Sequence, residues 1–159
     1  MKNRITTVCI ISLFLLGGCS SLNNAKTNWT DPRAQVINGV KITLKHCSRE
    51  ATNVMCHLSI LSSGQMRTID TAPHGGAQLY DNLGNRYYTS QVMIGNQTKR
   101  RVELVPDIDI ETTIEFKNIS SNASNIKLLS IQPMVFGTNV PTKERKIEFR
   151  NIELSNNKI

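Results

Sequence analysis

The chain has 159 residues, of which 39% are hydrophobic and 19% are charged, and its formal net charge is +7. This length suits one modest domain with a real core, and no internal repeat or second domain is visible. Most basic residues are scattered and no aromatic stacking platform accompanies them, which argues against a nucleic-acid partner.

The N-terminal residues carry the pattern of an export signal. Lys2 and Arg4 precede an apolar run from Val8 to Leu16, and two small residues, Gly17-Gly18, follow it. A positive region, a short apolar region and small residues at the cleavage point are the three parts of a secretory signal. The run is shorter than the roughly 20 apolar residues of a membrane span. We therefore expect residues 1–18 to be a signal peptide.

The stretch Leu16-Gly17-Gly18-Cys19 resembles the lipobox of bacterial lipoproteins. The resemblance implies a diacylglyceryl thioether on Cys19, cleavage after Gly18 and acylation of the new amine, with palmitate as an expected chain. Several acyl chains anchor a protein durably, whereas one binds reversibly. Ser20 stands where an aspartate tends to retain such proteins at the inner membrane, so we expect an outer-membrane anchor facing the periplasm. The alternative is ordinary cleavage that leaves Cys19 as a thiol.

A polar segment separates the anchor from the domain. Residues 19–34 are rich in Ser, Asn, Lys and Thr and lack hydrophobic periodicity. We predict a lipidated flexible tether over 19–34 and a folded domain over 35–156. Trp29 is expected to dock on the domain, with the lipid interface as its alternative environment.

The first two strands of the domain are predicted from alternation. Apolar and polar residues alternate over 40–45 and again over 54–60, and the short polar segment between them favours a hairpin. Cys47 and Cys56 lie across its mouth and form an even pair in an oxidising compartment, so we expect a disulfide. Cys47 is out of phase with its strand, and a bulge near His46 would restore the phase.

The remaining chain continues as short strands separated by turn-forming residues. The clearest alternation runs from Ile110 to Phe116, and the last segment changes parity near Asn151. Further strands are predicted around 66–71, 86–94, 101–105 and 126–131. Eight or nine such strands with regular turns indicate an all-β fold, a single antiparallel immunoglobulin-like sandwich or barrel.

Several segments resemble the telokin-like, immunoglobulin-type domain of small bacterial lipoproteins. These are Val40–Leu44, Val54–Ile60, Leu79–Tyr87, Leu104–Pro106, Thr113–Phe116 and Ile126–Ile131. In that family a strand ends in an Asp-x-x-Gly-x-x-Tyr turn, and a turn with proline precedes a strand that ends in Phe. The resemblance implies a β-sandwich of about 8–9 strands in an extracytoplasmic setting, and it implies no common active site or cofactor.

Candidate metal ligands lie near the predicted hairpin. His46, Cys47, Cys56 and His57 are four metal-capable side chains near one hairpin mouth, but we expect a disulfide and no metal site, because His57 should point away from Cys56. No nucleophile elbow, phosphate loop or calcium loop is present, so no catalytic residue is assigned.

The sequence therefore predicts a non-enzymatic interaction module on the outer membrane. We expect a protein partner in the envelope, with a role as an accessory component of an envelope or secretion assembly. The alternative is an envelope lipoprotein that binds a ligand or inhibits a hydrolase. The loops Pro73–Gly76 and Gly95–Arg101 are the first candidate contact surfaces. The basic run Lys99-Arg100-Arg101 is either a solvated loop or strand edge, or a contact for phosphate-bearing lipid or an acidic partner.

Overall fold

A computed structural model of the chain describes residues 32–71, 76–99, 101–137 and 146–156. These residues form eleven strands and no helix, which confirms the predicted all-β class. In chain order the strands are β1 Ala34–Ile37, β2 Val40–Glu50, β3 Asn53–Ser62, β4 Arg67–Asp70, β5 Ala77–Asp81, β6 Arg86–Ile94, β7 Arg101–Leu104, β8 Asp109–Phe116, β9 Asn125–Ile131, β10 Met134–Phe136 and β11 Ile147–Asn156. The signal peptide, Gly18, Cys19 and Trp29 lie outside the described residues.

The larger sheet closes on itself. Its pairing order is β2-β11-β9-β5-β6-β8-β3, and β3 pairs again with β2, so these strands form a closed barrel. Closure depends on one parallel pairing, in which Leu154 to Asn156 of β11 lie beside Cys47 to Arg49 of β2. The short strand β1 adds to the same side of β2. A barrel closed in this way leaves few free sheet edges.

A second, smaller sheet has the order β10-β4-β7. An ion pair joins β7 to β4 in this sheet: Arg101 Nε lies 3.1 Å from Asp70 Oδ2, and the Asp70 side chain is fully buried. The guanidinium carbon of Arg101 also lies 5.1 Å from the centroid of the Phe136 ring. Arg101, the last residue of the predicted basic run, therefore stabilises this sheet.

This architecture agrees with the sequence prediction in fold class but differs from it in how the strands are arranged. The strand pattern predicted a sandwich or a barrel, and the family resemblance implied an antiparallel sandwich of about eight or nine strands. The described strands instead close into a barrel with one parallel contact and a small second sheet. The difference has a physical reason. Alternation reports which side of a strand is buried, but it does not report which strand lies beside it.

Both predicted breaks in alternation are confirmed. The β2–β3 register shifts between Leu44 and His46, so Lys45 is the extra residue and both Leu44 and Cys47 are buried. In β11 the pairing with β9 omits Asn151, whose φ is 52°, and both Phe149 and Ile152 are buried. The Lys45 bulge moves the following residues of β2 to the opposite face, whereas the change of face at Asn151 occurs without a shift of the β11–β9 register. Both changes keep the apolar side chains inside.

The apolar faces of the barrel strands enclose one core. Its fully buried large side chains include Leu58, Leu79, Ile114, Phe116 and Leu129. These come from several strands that are distant in sequence, so the core holds the barrel together as a unit. The described part of the chain contains no helix of the length and apolarity needed to cross a membrane.

The turn between β5 and β6 is built around one buried carboxylate. Asp81 Oδ1 accepts hydrogen bonds from the backbone N–H groups of Leu83 and Asn85, both at 2.9 Å, and Oδ2 accepts them from Asn85 Nδ2 and Tyr87 Oη. Burial alone would raise the pKa of Asp81, but these hydrogen bonds outweigh it and hold the pKa below its usual value. The Asp-x-x-Gly-x-x-Tyr turn noted in the sequence is thus a structural element.

Candidate functional site

The predicted disulfide is confirmed. Cys47 of β2 and Cys56 of β3 are bonded, with their Cα atoms 4.0 Å apart, and both are fully buried. The two residues are direct partners in the β2–β3 register. The bond fixes the two strands to each other at the point where the Lys45 bulge ends. No thiol of this pair remains for catalysis or metal binding.

The neighbouring histidines meet on the opposite face of the same two strands. His46 and His57 are partners in the register, and their ring centroids lie 4.5 Å apart with an angle of 16° between the planes. The four metal-capable side chains that the sequence places near the hairpin therefore separate into a buried disulfide and an outer imidazole pair. Within the described ranges no group of three or more His, Cys, Asp and Glu side chains is arranged to hold a metal ion.

The environment of His57 favours the neutral imidazole. Partial burial and the proximity of His46 lower the pKa of His57, and the negative charge of Glu111 on β8 offsets this only in part. In the β3–β8 register His57 lies beside Thr113, two residues from Glu111. The pair thus lies on a partly shielded surface with a carboxylate nearby.

A groove lies beside this pair, where β1 and β11 diverge along β2. We call it the β2–β11 groove; it encloses about 460 Å³. The residues that line it are Pro32, Arg33, Leu44, Lys45, His46, Cys47 and all residues from Phe149 to Ser155. The groove forms because β2 pairs with β1 before its bulge and with β11 only from Cys47 onward.

One wall of the groove is the backbone edge of β11. On one side β11 pairs with β9, and on the other it pairs with β2 only from Leu154 onward. No described strand pairs with the β2-facing edge between Phe149 and Glu153. Nearer the start of β11 the edge is met by a side chain, because Gln35 Nε2 donates a hydrogen bond to the Glu148 carbonyl. Backbone groups at such an edge are suited to pairing with another extended chain.

The rim of the groove carries more positive than negative charge. Arg33, Lys45 and Arg150 are exposed cations among the lining residues, and Glu153 is the one carboxylate among them. Arg150 is partly neutralised by Glu148, whose carboxylate lies 2.5 Å away. The net charge of the lining therefore favours an anionic occupant.

The structure describes only part of the two loops predicted as contact surfaces. Residues 72–75 and Arg100 lie outside the described residues. The turn at Gly95 is closed by two backbone hydrogen bonds between Ile94 and Gln97, and Gly95 N–H donates to the Glu111 carbonyl of β8 at 2.7 Å. The described residues of these loops, Gly76, 95–99 and Arg101, do not line the β2–β11 groove. The sequence features that relate to the groove are the bulge at Lys45 and the break in alternation at Asn151, because both residues line it.

Comparisons with known proteins identify no family. No protein-family model matches the chain, and no curated protein matches it. Among solved structures, the chain is similar to a DUF4426 family protein from Pseudomonas aeruginosa PAO1, with 9% identity, a TM-score of 0.41, and coverage of 76% of this chain and 96% of that one. It is also similar to a copper-bound PCuAC domain from PmoF2, with 13% identity, a TM-score of 0.42, and coverage of 77% and 98%.

Proposed function

We propose that this protein is a non-enzymatic interaction module of the bacterial envelope, anchored in the outer membrane by lipid on Cys19 and facing the periplasm. In this proposal the β2–β11 groove binds an extended, acidic segment of an envelope protein, and the module serves as an accessory component of an envelope or secretion assembly. The telokin-like, immunoglobulin-type relationship remains a prediction of the sequence. The disulfide supports an oxidising compartment, since such bonds persist there.

The observation that carries the proposal is the β11 edge inside the groove. An edge strand offers N–H and C=O groups in register, and a partner strand added to it gains affinity from main-chain hydrogen bonds. Here the edge between Phe149 and Glu153 faces a cavity, so an added strand would bury side chains as well as pair its backbone. The cations Lys45 and Arg150 favour acidic residues in that strand.

The alternative is an envelope lipoprotein that binds a small ligand or inhibits a hydrolase. The groove volume of about 460 Å³ lies within the range of small-molecule sites, which supports this alternative. The two functions differ in what they need from the protein. Strand pairing uses the β11 backbone and the charges of the rim, whereas a small ligand would depend on the apolar lining, such as Leu44 and Ile152.

A charge-reversal comparison tests the proposal. The full chain is expressed as wild type, Lys45→Glu and Lys99→Glu; Lys45 lines the groove, whereas Lys99 is equally exposed but does not. Proteins cross-linked in the envelope are recovered and quantified. We expect one acidic partner to be retained by wild type and Lys99→Glu and reduced at least tenfold in Lys45→Glu. Equal recovery by both variants, or recovery of no partner, would overturn the proposed groove function.

A further inference from the structure

The outer face of the β2–β3 hairpin holds a pair of histidine side chains, of which His46 also lines the β2–β11 groove and His57 does not. His46 is exposed and His57 is half-buried, and their rings stack at a centroid distance of 4.5 Å. Two imidazoles at direct partner positions of an antiparallel ladder have Cβ atoms within about 5.5 Å of each other. This separation places two nitrogen ligands within reach of a single cation.

We propose that His46 and His57 form a surface site for a divalent transition-metal ion that prefers imidazole nitrogen, such as Zn²⁺ or Ni²⁺, with its other coordination positions open to water or to a ligand from another molecule. The proposal does not depend on the function assigned to the groove. It assigns to the two histidines a binding role that is separate from the disulfide on the inner face.

The scaffold under the pair is rigid. The register residues adjoining the pair, Cys47 and Cys56, are joined by the disulfide, so the two strands cannot separate at this point. The Lys45 bulge is what turns His46 outward, because without the extra residue the phase of β2 would place position 46 inside the barrel. Side chains on paired strands are held more precisely than side chains on loops, so they lose less conformational entropy when they bind an ion.

The electrostatics of the face favour a cation on neutral imidazoles. Metal ions bind the neutral form of histidine. Glu111 contributes a negative charge near His57 from the next strand. Because the lone pair of an imidazole nitrogen lies in the ring plane, the stacked rings do not point both lone pairs at one ion, and binding requires the exposed His46 ring to turn until the two ring planes converge on the cation.

The chemistry of two imidazole ligands defines the expected selectivity. Imidazole suits Zn²⁺, Cu²⁺ and Ni²⁺, whereas Mg²⁺ and Ca²⁺ prefer oxygen ligands. With two protein ligands the site leaves at least two positions of a tetrahedral ion open to water or to a ligand from another molecule. We therefore expect Ni²⁺ to bind more tightly than Co²⁺, and Ca²⁺ not to compete.

Calorimetric titration of the untagged full chain with Zn²⁺ and Ni²⁺ tests the site. Four proteins are compared: wild type, His46→Asn, His57→Asn and His74→Asn, where His74 is the third and last histidine of the chain. We expect one ion per wild-type chain, a loss of affinity of at least about tenfold in His46→Asn and His57→Asn, and no change in His74→Asn.

Two results would overturn the inference: wild-type protein that binds no stoichiometric Zn²⁺ or Ni²⁺, or equal affinity in wild type and His46→Asn. Circular dichroism of each variant checks folding, and His46→Asn keeps the test decisive if His57→Asn unfolds, because His46 is exposed. A direct readout comes from the histidine ring resonances in NMR spectra. Ni²⁺ should broaden the signals of His46 and His57 and leave those of His74 sharp.

Discussion

His46 and His57 face each other on one side of the β2–β3 ladder, directly beside the cysteine pair that is bonded on the other side. A single extra residue, Lys45, makes both pairs possible, because it shifts the phase of β2 between Leu44 and His46. The bulge therefore positions a structural bond and a candidate binding site at once, and it also contributes Lys45 to the β2–β11 groove.

The disulfide should contribute measurably to stability. Replacing Cys47 and Cys56 together by Ala is expected to lower the free energy of unfolding by about 2–3 kcal/mol, since the bond closes a short loop and restricts the unfolded chain. Urea denaturation of the variant and of the wild type measures the difference. A matched loss in the wild type on reduction would agree, whereas an unchanged midpoint would contradict the assignment.

The buried carboxylate of Asp81 should make stability depend on acid. Because hydrogen bonds hold its folded pKa below the unfolded value, Asp81 contributes stability at pH values above the unfolded pKa of about 3.9, and that contribution is lost as pH falls through the folded pKa. Asp81→Asn should cost about 2–3 kcal/mol at neutral pH.

Denaturation curves of wild type and Asp81→Asn at pH 7 and pH 3 measure this effect. The difference between the two proteins should shrink as the pH approaches 3. Glu103→Gln serves as the control, because Glu103 is exposed on β7. A difference that is the same at both pH values would show that the charge of Asp81 is not the source of its stabilisation.

The ion pair of the small sheet should contribute more to the free energy of unfolding than an ordinary surface ion pair does. Arg101→Ala leaves the fully buried Asp70 carboxylate with less compensation, although Arg101 itself is largely exposed. The expected cost is about 1–2 kcal/mol, between an exposed pair and a broken buried one. Thermal denaturation of Arg101→Ala and of Lys99→Ala compares two neighbouring cations, and an equal effect in both would refute the specific role of Arg101.

The lipid anchor is tested at Cys19. In the host envelope the wild-type chain should incorporate labelled palmitate and sediment with outer membranes, whereas Cys19→Ser should do neither, because the lipid is attached to that sulfur. Cys9→Ser is the control, since Cys9 lies in the signal that cleavage would remove. Label in the Cys19→Ser protein would contradict the lipobox interpretation.

Much of the local structure was predictable from the sequence. The strand over 86–94 followed from its apolar residues, and the disulfide followed from an even cysteine pair in an oxidising compartment. The Lys45 bulge and the break at Asn151 followed from changes of phase along their strands. These features depend on residues that are close in the sequence, and hydrophobic periodicity is a property of such residues. The strands β1, with the sequence AQVI, and β10, with the sequence MVF, were not predicted, because neither segment alternates regularly between apolar and polar residues.

The candidate site was less predictable. The hairpin placed His46 and His57 near each other, but the need for a bulge at Lys45 was inferred from Cys47 alone, and the stacking of the two rings was not foreseen. The β2–β11 groove depends on a parallel pairing between strands about one hundred residues apart. Such long-range register leaves no local pattern in the residues that form it.

The most direct test of the proposed function is a photo-cross-link from inside the groove. A benzoylphenylalanine is placed at Asn151, the exposed residue of β11 where the pairing with β9 is interrupted, and at Lys99 as the control, and the full chain is irradiated in the envelope. We predict a cross-link from position 151, and not from position 99, to an extended acidic segment of one envelope protein. A cross-link to residues 19–31 of the same chain, or no protein adduct at position 151, would contradict the account.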